Sequence, residues 1–196
     1  MTDDPSQEWH SLLALLEPIH DAARASARRM AASRPDGDDL FQEAVLKAVR
    51  KLPQLRDRTR FGAWFYAVML SVHRSRARRS FWKRLVGLES VAESGIEPAS
   101  ADPSIDEASW RAARLSRAFA RLPAVQREAV VLHDLDGYTM ENVAEMQGVT
   151  VSAVKTRVVR GRARLREHYV RLGFGASERA GAQPADVEGR EGMING

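Results

Sequence analysis

The sequence predicts an all-α protein: two small helical domains joined by a flexible linker, the second a helix-turn-helix. Three observations carry this. Apolar residues recur at intervals of three and four through residues 7–83 and again through 107–172. Between them, residues 84–106 lose that rhythm and hold Gly87, Gly95, Pro98 and Pro103 among acids and serines. Finally, the stretch Gly137 to Glu167 contains two helical rhythms separated by Gly148.

The first helix is marked by Trp9, Leu12, Leu13, Leu16 and Ile19, followed by an Ala/Arg-rich run to Ser33. "RPDGDD" reads as a turn in which Pro35 and Gly37 break the pattern, with Asp38 or Asp39 starting the next helix. "DLFQEAVLKAVRKL" then sets Leu40, Phe41, Ala44, Val45, Ala48 and Leu52 on one broad face. Asp39, Gln42, Glu43, Lys47 and Arg50 fall on the other, and Pro53 ends the helix. After "LRDRTR", a third helix shows Phe61, Trp64, Phe65, Val68 and Val72 on one stripe.

Beyond the linker, Leu115, Phe119 and Leu122 mark a helix, and "LPAVQREAVVLHDL" begins another with Pro123 at its first position. Thr139 is a candidate N-cap for a short helix carrying Val143, Ala144 and Met146. Gly148 stands where a sharp turn needs positive φ. Thr150 or Ser152 caps the last helix, in which Val154, Val158, Gly161 and Leu165 share one side. The tail, residues 173–196, carries six glycines in 24 residues and reads as disordered.

Charge narrows the function. The net charge is only +4, but it is blocked: six Lys/Arg and no acid from Leu70 to Arg84, six acids and no base from Leu85 to Trp110, then seven bases against one acid from Lys155 to Arg171. Two basic blocks around an acidic spacer suit two contacts on one polyanion. In the last helix, Ser152, Ala153, Thr156 and Arg157 lie near the start, where a helix in the major groove meets base edges. Lys155, Arg160, Arg162 and Arg164 are placed to meet phosphates.

The first block mixes cations with rings, a composition suited to unpaired strands whose bases stack. Phe61, Trp64, Phe65 and Val68 have core spacing, which leaves Tyr66, Arg74, Arg76, Arg78 and Arg79 as the contact candidates.

Other classes lack support. No cysteine is present, which removes disulfides and thiolate metal sites and fits the cytoplasm. No apolar run approaches a membrane span. The acidic opening "MTDDPSQEWH" is unlike a secretion signal. His10, His20, His73, His133 and His168 are scattered, and neither a phosphate loop nor a metal spacing occurs. An enzyme is therefore not expected, nor a cofactor.

The combined pattern resembles the extracytoplasmic-function group of bacterial RNA polymerase sigma factors, over about residues 8–80 and 107–168. "DDLFQEAVLKAVRKL" is similar to the family's D-L-x-Q-E helix, which docks on the clamp helices of the polymerase largest subunit. The resemblance thus implies a core-polymerase contact for Asp39, Gln42 and Glu43. "FGAWFYAVM" resembles the F-x-x-W-L stretch leading into the helix that recognises and opens the −10 element. "LPAVQREAVVL" with "GYTMENVAEMQGVTVSAVKTRVVRGRARLRE" resembles the module that reads the −35 element and sits on the polymerase flap.

Departures from the family pattern are Ser71 and Ser75 in place of Asn and Asp, Asn142 for Glu, Ala153 for Thr, and Gly161 for Ala. The implied domains are 7–83 for core polymerase and the −10 element, 84–106 as acidic linker, 107–172 for the −35 element, and 173–196 as tail. The implied partners are core RNA polymerase and promoter DNA, both duplex and single-stranded. Family members are often restrained by an anti-sigma factor, which makes one a candidate partner here. The alternative is a free-standing helix-turn-helix regulator whose 7–83 segment senses or dimerises.

Overall fold

The computed structural model describes residues 5–31, 33–86, 115 and 117–171. Every regular element among them is helical, as the periodicity predicts. The expected linker beyond Val86 and the expected tail lie outside the described residues.

The first half contains α1 (Pro5–Leu16), α2 (His20–Met30), α3 (Arg34–Lys51) and α4 (Phe61–Leu85), with short 3-10 turns at Glu17–Ile19, Leu52–Gln54 and Arg58–Arg60. Leu12, Leu16, Ala23, Ala27, Leu40, Ala44, Phe61 and Phe65 close its core. Pro53 falls in the 3-10 turn that ends α3, as expected.

The start of α3 differs from the sequence reading. The helix begins at Arg34 rather than at Asp38 or Asp39. Ser33 is its N-cap, accepting a hydrogen bond from Asp36 N at 3.2 Å, and Pro35 occupies the first turn, where a missing N–H does no harm. Gly37 is not a turn residue. It is buried inside the helix, where a Cβ would fall 2.4 Å from Arg28 Cα, so it lets α3 cross α2 backbone to backbone.

The second half contains helical residues 117–120, α5 (Ala124–Val130), α6 (Met140–Gln147) and α7 (Val151–Arg171). Pro123 is the N-cap of α5, one position before the expected one. Past Val130 the chain widens into a π turn, Val131–Leu135, closed by Asp136 N donating to Val131 O at 2.9 Å. The widened turn leads into Gly137, at φ 76°.

The core is continuous across the two halves. α4 packs on α5 and α6, and α2 packs on the π turn. This explains why α4 is buried beyond its expected stripe: Tyr66 meets Tyr138 of the second half while Phe65 meets Phe41 of the first, and Met69 and Leu70 are buried as well.

Candidate nucleic-acid interface

The helix-turn-helix is built by local rules. Thr139 Oγ1 accepts from Asn142 N at 3.2 Å and donates to Asn142 Oδ1 at 2.9 Å, so Asn142 keeps a reciprocal link to the cap. Gly148 ends α6 in the left-handed region, φ 65°, with its N–H on Glu145 O and the Val149 N–H on Ala144 O. Thr150 then caps α7, accepting from Ala153 N at 3.2 Å. Val154, Val158 and Gly161 are buried against the core, with Leu165 half-buried beside them.

That docking leaves the opposite side of α7 open. Ser152, Lys155, Thr156 and Arg160 are exposed, and Ala153 is partly so. Thr156 Oγ1 donates to Ser152 O at 3.0 Å. Three arginines are held by neighbours. Arg157 donates to Gln147 Oε1 at 2.6 Å, Arg162 to Asp134 Oδ2 at 2.9 Å, and Arg164 to Gln126 Oε1 at 3.2 Å. Arg157 is the most enclosed of these. Burial and the nearby Arg74 hold its pKa below the ordinary value, opposed by Glu128.

The α4 site divides between exposed and engaged residues. Arg78 is exposed. Arg76 and Arg79 both reach Glu43 of α3, each at 3.2 Å, and Arg76 also donates to Asp36 O. Glu43, expected to face polymerase, thus also bridges α3 to the basic helix, while Asp39 and Gln42 beside it stay exposed. Ser71 Oγ accepts from Lys47 Nζ at 2.8 Å, and Ser75 Oγ donates to Ser71 O.

Tyr66, expected at the nucleic-acid face, is only 1% exposed. Its ring meets Tyr138 edge-on, and its hydroxyl lies 3.0 Å from Tyr138 Oη and 3.1 Å from Ser26 Oγ. Burial is the main cause of a phenol pKa well above the usual value. Tyr66 therefore belongs to the contact between the halves in this conformation. The exposed rings beside the cations are Phe81 and Trp82.

Sequence reasoning missed Glu128, a fully buried carboxylate on α5. Arg74 grips it from α4, Nε at 2.9 Å and Nη2 at 2.7 Å from Oε2, and His73 Nδ1 lies 2.9 Å from Oε1. Gln147 adds a third partner at 3.2 Å. A buried carboxylate needs such a set of partners to offset its lost hydration. The available signal was an acid set directly before the apolar run Ala129–Leu132. His133 Nδ1 meets Tyr138 O and Asp134 takes Arg162, with His133 Nε2 3.9 Å from Asp134 Oδ1.

Among the described residues no group of His, Cys, Asp and Glu could hold a metal ion, and no helix is long and apolar enough to cross a membrane.

Comparison with known proteins agrees with this geometry. Residues 15–83 match Sigma-70 region 2, and residues 112–165 match Sigma-70, region 4. The ECF RNA polymerase sigma factor SigM of Mycobacterium tuberculosis is 32% identical over 147 residues, covering 75% of this chain and 69% of the relative. The solved sigma factor RpoE of Bartonella quintana, in complex with the anti-sigma factor NepR, is 28% identical. It matches with a TM-score of 0.56 over 78% of this chain and 92% of that one. CnrH, solved with the cytosolic domain of CnrY, shares the fold with a TM-score of 0.57 at 23% identity, over 83% of this chain and 92% of that one. Region 2 and region 4 follow each other in the expected order on the two helical halves. The chain belongs to the extracytoplasmic-function family of RNA polymerase sigma factors, the subunits that direct polymerase to promoters in transcription initiation.

Proposed function

We propose that the two basic helices divide the promoter between them. α7 enters the major groove of the −35 element with Ser152, Ala153, Thr156 and Arg157 toward base edges, and Lys155, Arg160, Arg162 and Arg164 toward phosphates. The first half, residues 7–83, holds the −10 element along Arg74, Arg76, Arg78 and Arg79, where strands part. Asp39, Gln42 and Glu43 dock on core polymerase. Residues 84–106 connect this half to the second, residues 107–172. Sigma factors are generally not enzymes, and the chain acts here by binding alone.

The observation that carries this reading is the exposed, small-residue start of α7, raised from the core by Val154, Val158 and Gly161 and followed by exposed cations. An α-helix with that profile fits the major groove by width. The match to a sigma factor solved with its anti-sigma factor supports an anti-sigma protein as a further partner.

The test is transcription in vitro with core polymerase on a genomic fragment library, with transcript starts sequenced. New starts sharing paired upstream motifs are the expected result. No new starts would refute the assignment.

A further inference from the structure

We propose that Lys47 of α3 selects a base in the −10 element, and that the base is guanine. This rests on the reading above that α4 holds that element, and adds a specificity to it.

Ser71, Ser75 and Arg78 share one face of α4, at steps of four and three. The family pattern has Asn and Asp where the two serines stand, and such side chains can bond base edges directly. Here both hydroxyls are turned back on their own helix. Ser71 Oγ donates to Val68 O at 2.6 Å, and Ser75 Oγ donates to Ser71 O at 2.8 Å. A hydroxyl has a single hydrogen to give, so neither serine keeps a donor for a base. Cations approach their acceptor sides instead: Lys47 Nζ lies 2.8 Å from Ser71 Oγ, and Arg78 Nη2 lies 3.4 Å from Ser75 Oγ.

Three of the α4 arginines are committed to carboxylates. Arg74 grips Glu128, while Arg76 and Arg79 reach Glu43. Lys47 differs because Ser71 is a neutral partner. That bond leaves the ammonium charge uncancelled and takes one of its three N–H donors. The side chain is partly exposed and crosses from α3 to α4, two helices packed on each other. It is thus a donor held in place on a face whose own hydroxyls have none to offer.

Such a group discriminates by chemistry. Guanine sets two acceptors side by side, O6 and N7, and an ammonium can bond both. Adenine puts an N6 amino donor beside N7, cytosine presents its N4 donor, and thymine has only O4 beside a methyl group. Lys47 therefore favours guanine at the base opposite Ser71. Exposed Arg78, farther along the same face, is left to meet the backbone.

The test is transcription in vitro by core polymerase with the full chain, from a promoter library randomised across the −10 element, with transcripts sequenced. The parent chain is expected to enrich guanine about tenfold at one −10 position, the factor a good base contact supplies. Lys47→Met keeps the apolar stem and removes the donors, so that enrichment should vanish while the other positions keep theirs. Lys47→Gln should move the preference at that position from guanine to adenine, because glutamine pairs with adenine N6 and N7. Ser71→Ala takes away the anchor and should weaken the enrichment without changing the base.

Guanine enrichment that survives Lys47→Met, or that is absent from the parent, overturns the proposal. So does an equal fall in transcription from every template with Lys47→Met and Lys47→Gln, the result expected of a lysine that only packs α3 on α4 or meets a phosphate. No transcripts from any template with the parent chain would refute the promoter reading itself, and this proposal with it.

Discussion

Gly161 of α7 and Val130 of α5 meet with no space for a side chain between them: a Cβ at 161 would lie 2.6 Å from Val130 Cγ2 and 3.4 Å from the Gln126 carbonyl oxygen. Alanine would favour the helix by about 1 kcal/mol, but overpacking against a stiff β-branched neighbour costs about 1–3 kcal/mol. Gly161→Ala should therefore lower stability by about 1 kcal/mol in chemical denaturation. The paired change Gly161→Ala with Val130→Ala should be more stable than the sum of the single changes by at least about 0.5 kcal/mol. Strict additivity would mean that the two residues do not press on each other.

Gly37 should be less forgiving. Its missing Cβ would fall 2.4 Å from Arg28 Cα and 2.9 Å from Arg28 N, and a backbone cannot rotate aside as a side chain can. Gly37→Ala is expected to destabilise by about 2 kcal/mol net, after the gain in helix propensity is subtracted. A variant as stable as the parent would show that α2 and α3 can separate freely.

Gly148 isolates backbone strain from packing. It has φ 65° and no atom within 4 Å of a built Cβ. Gly148→Ala should cost about 1–2 kcal/mol through the left-handed conformation alone. Gly148→Asn should cost less, because Asn tolerates that region better. Equal losses for Ala and Asn would contradict a purely conformational origin.

These glycines show what a single sequence reveals. Thr139, Gly148, Thr150 and the Val154–Val158–Gly161 side of α7 were legible because caps, turns and helical stripes obey rules spanning a few residues. Gly37 was misread as a turn because the same residue also permits close helix crossing, and only the partner helix distinguishes the two. Tyr66 and Glu128 were beyond reach for a different reason. Each is buried by the opposite half of the chain, through Tyr138 and Arg74, and no local periodicity records which distant helix will cover a face. The candidate site on α7 was therefore legible as an exposed helix face, while the contact that encloses part of the candidate site on α4 was not.

Asp38 gives a pH prediction. Hydrogen bonds from Arg28, then Arg24, hold its carboxyl down to about 2 from an ordinary 3.8. A folded-state value below the unfolded one means the stabilisation is complete above the ordinary value and fades as pH falls through about 2. The parent should thus lose stability relative to Asp38→Asn across that acid window, while being the more stable of the two at neutral pH. Denaturation midpoints for both chains between neutral pH and strong acid measure the difference. A gap between them that stayed constant down to pH about 2 would show that the Arg24–Asp38–Arg28 cluster contributes nothing through charge.

Salt dependence separates the arginines of α7. If Lys155, Arg160, Arg162 and Arg164 neutralise phosphates, this helix should contribute a log–log slope of about −3.6 to the fall of promoter binding with salt. Arg160 is exposed, so Arg160→Ala should make the slope shallower by about 0.9, the contribution of one phosphate. Arg162 starts from a different state, paired with Asp134, which holds its pKa above the ordinary arginine value. Reaching a phosphate means exchanging one anion for another, so Arg162→Ala should change the slope less than Arg160→Ala does. Asp134→Ala should then release Arg162 and strengthen binding at low salt. Equal slopes for the two arginine variants, with no gain from Asp134→Ala, would place Arg162 on the phosphates as fully as Arg160 and remove any role for Asp134 in tuning the helix.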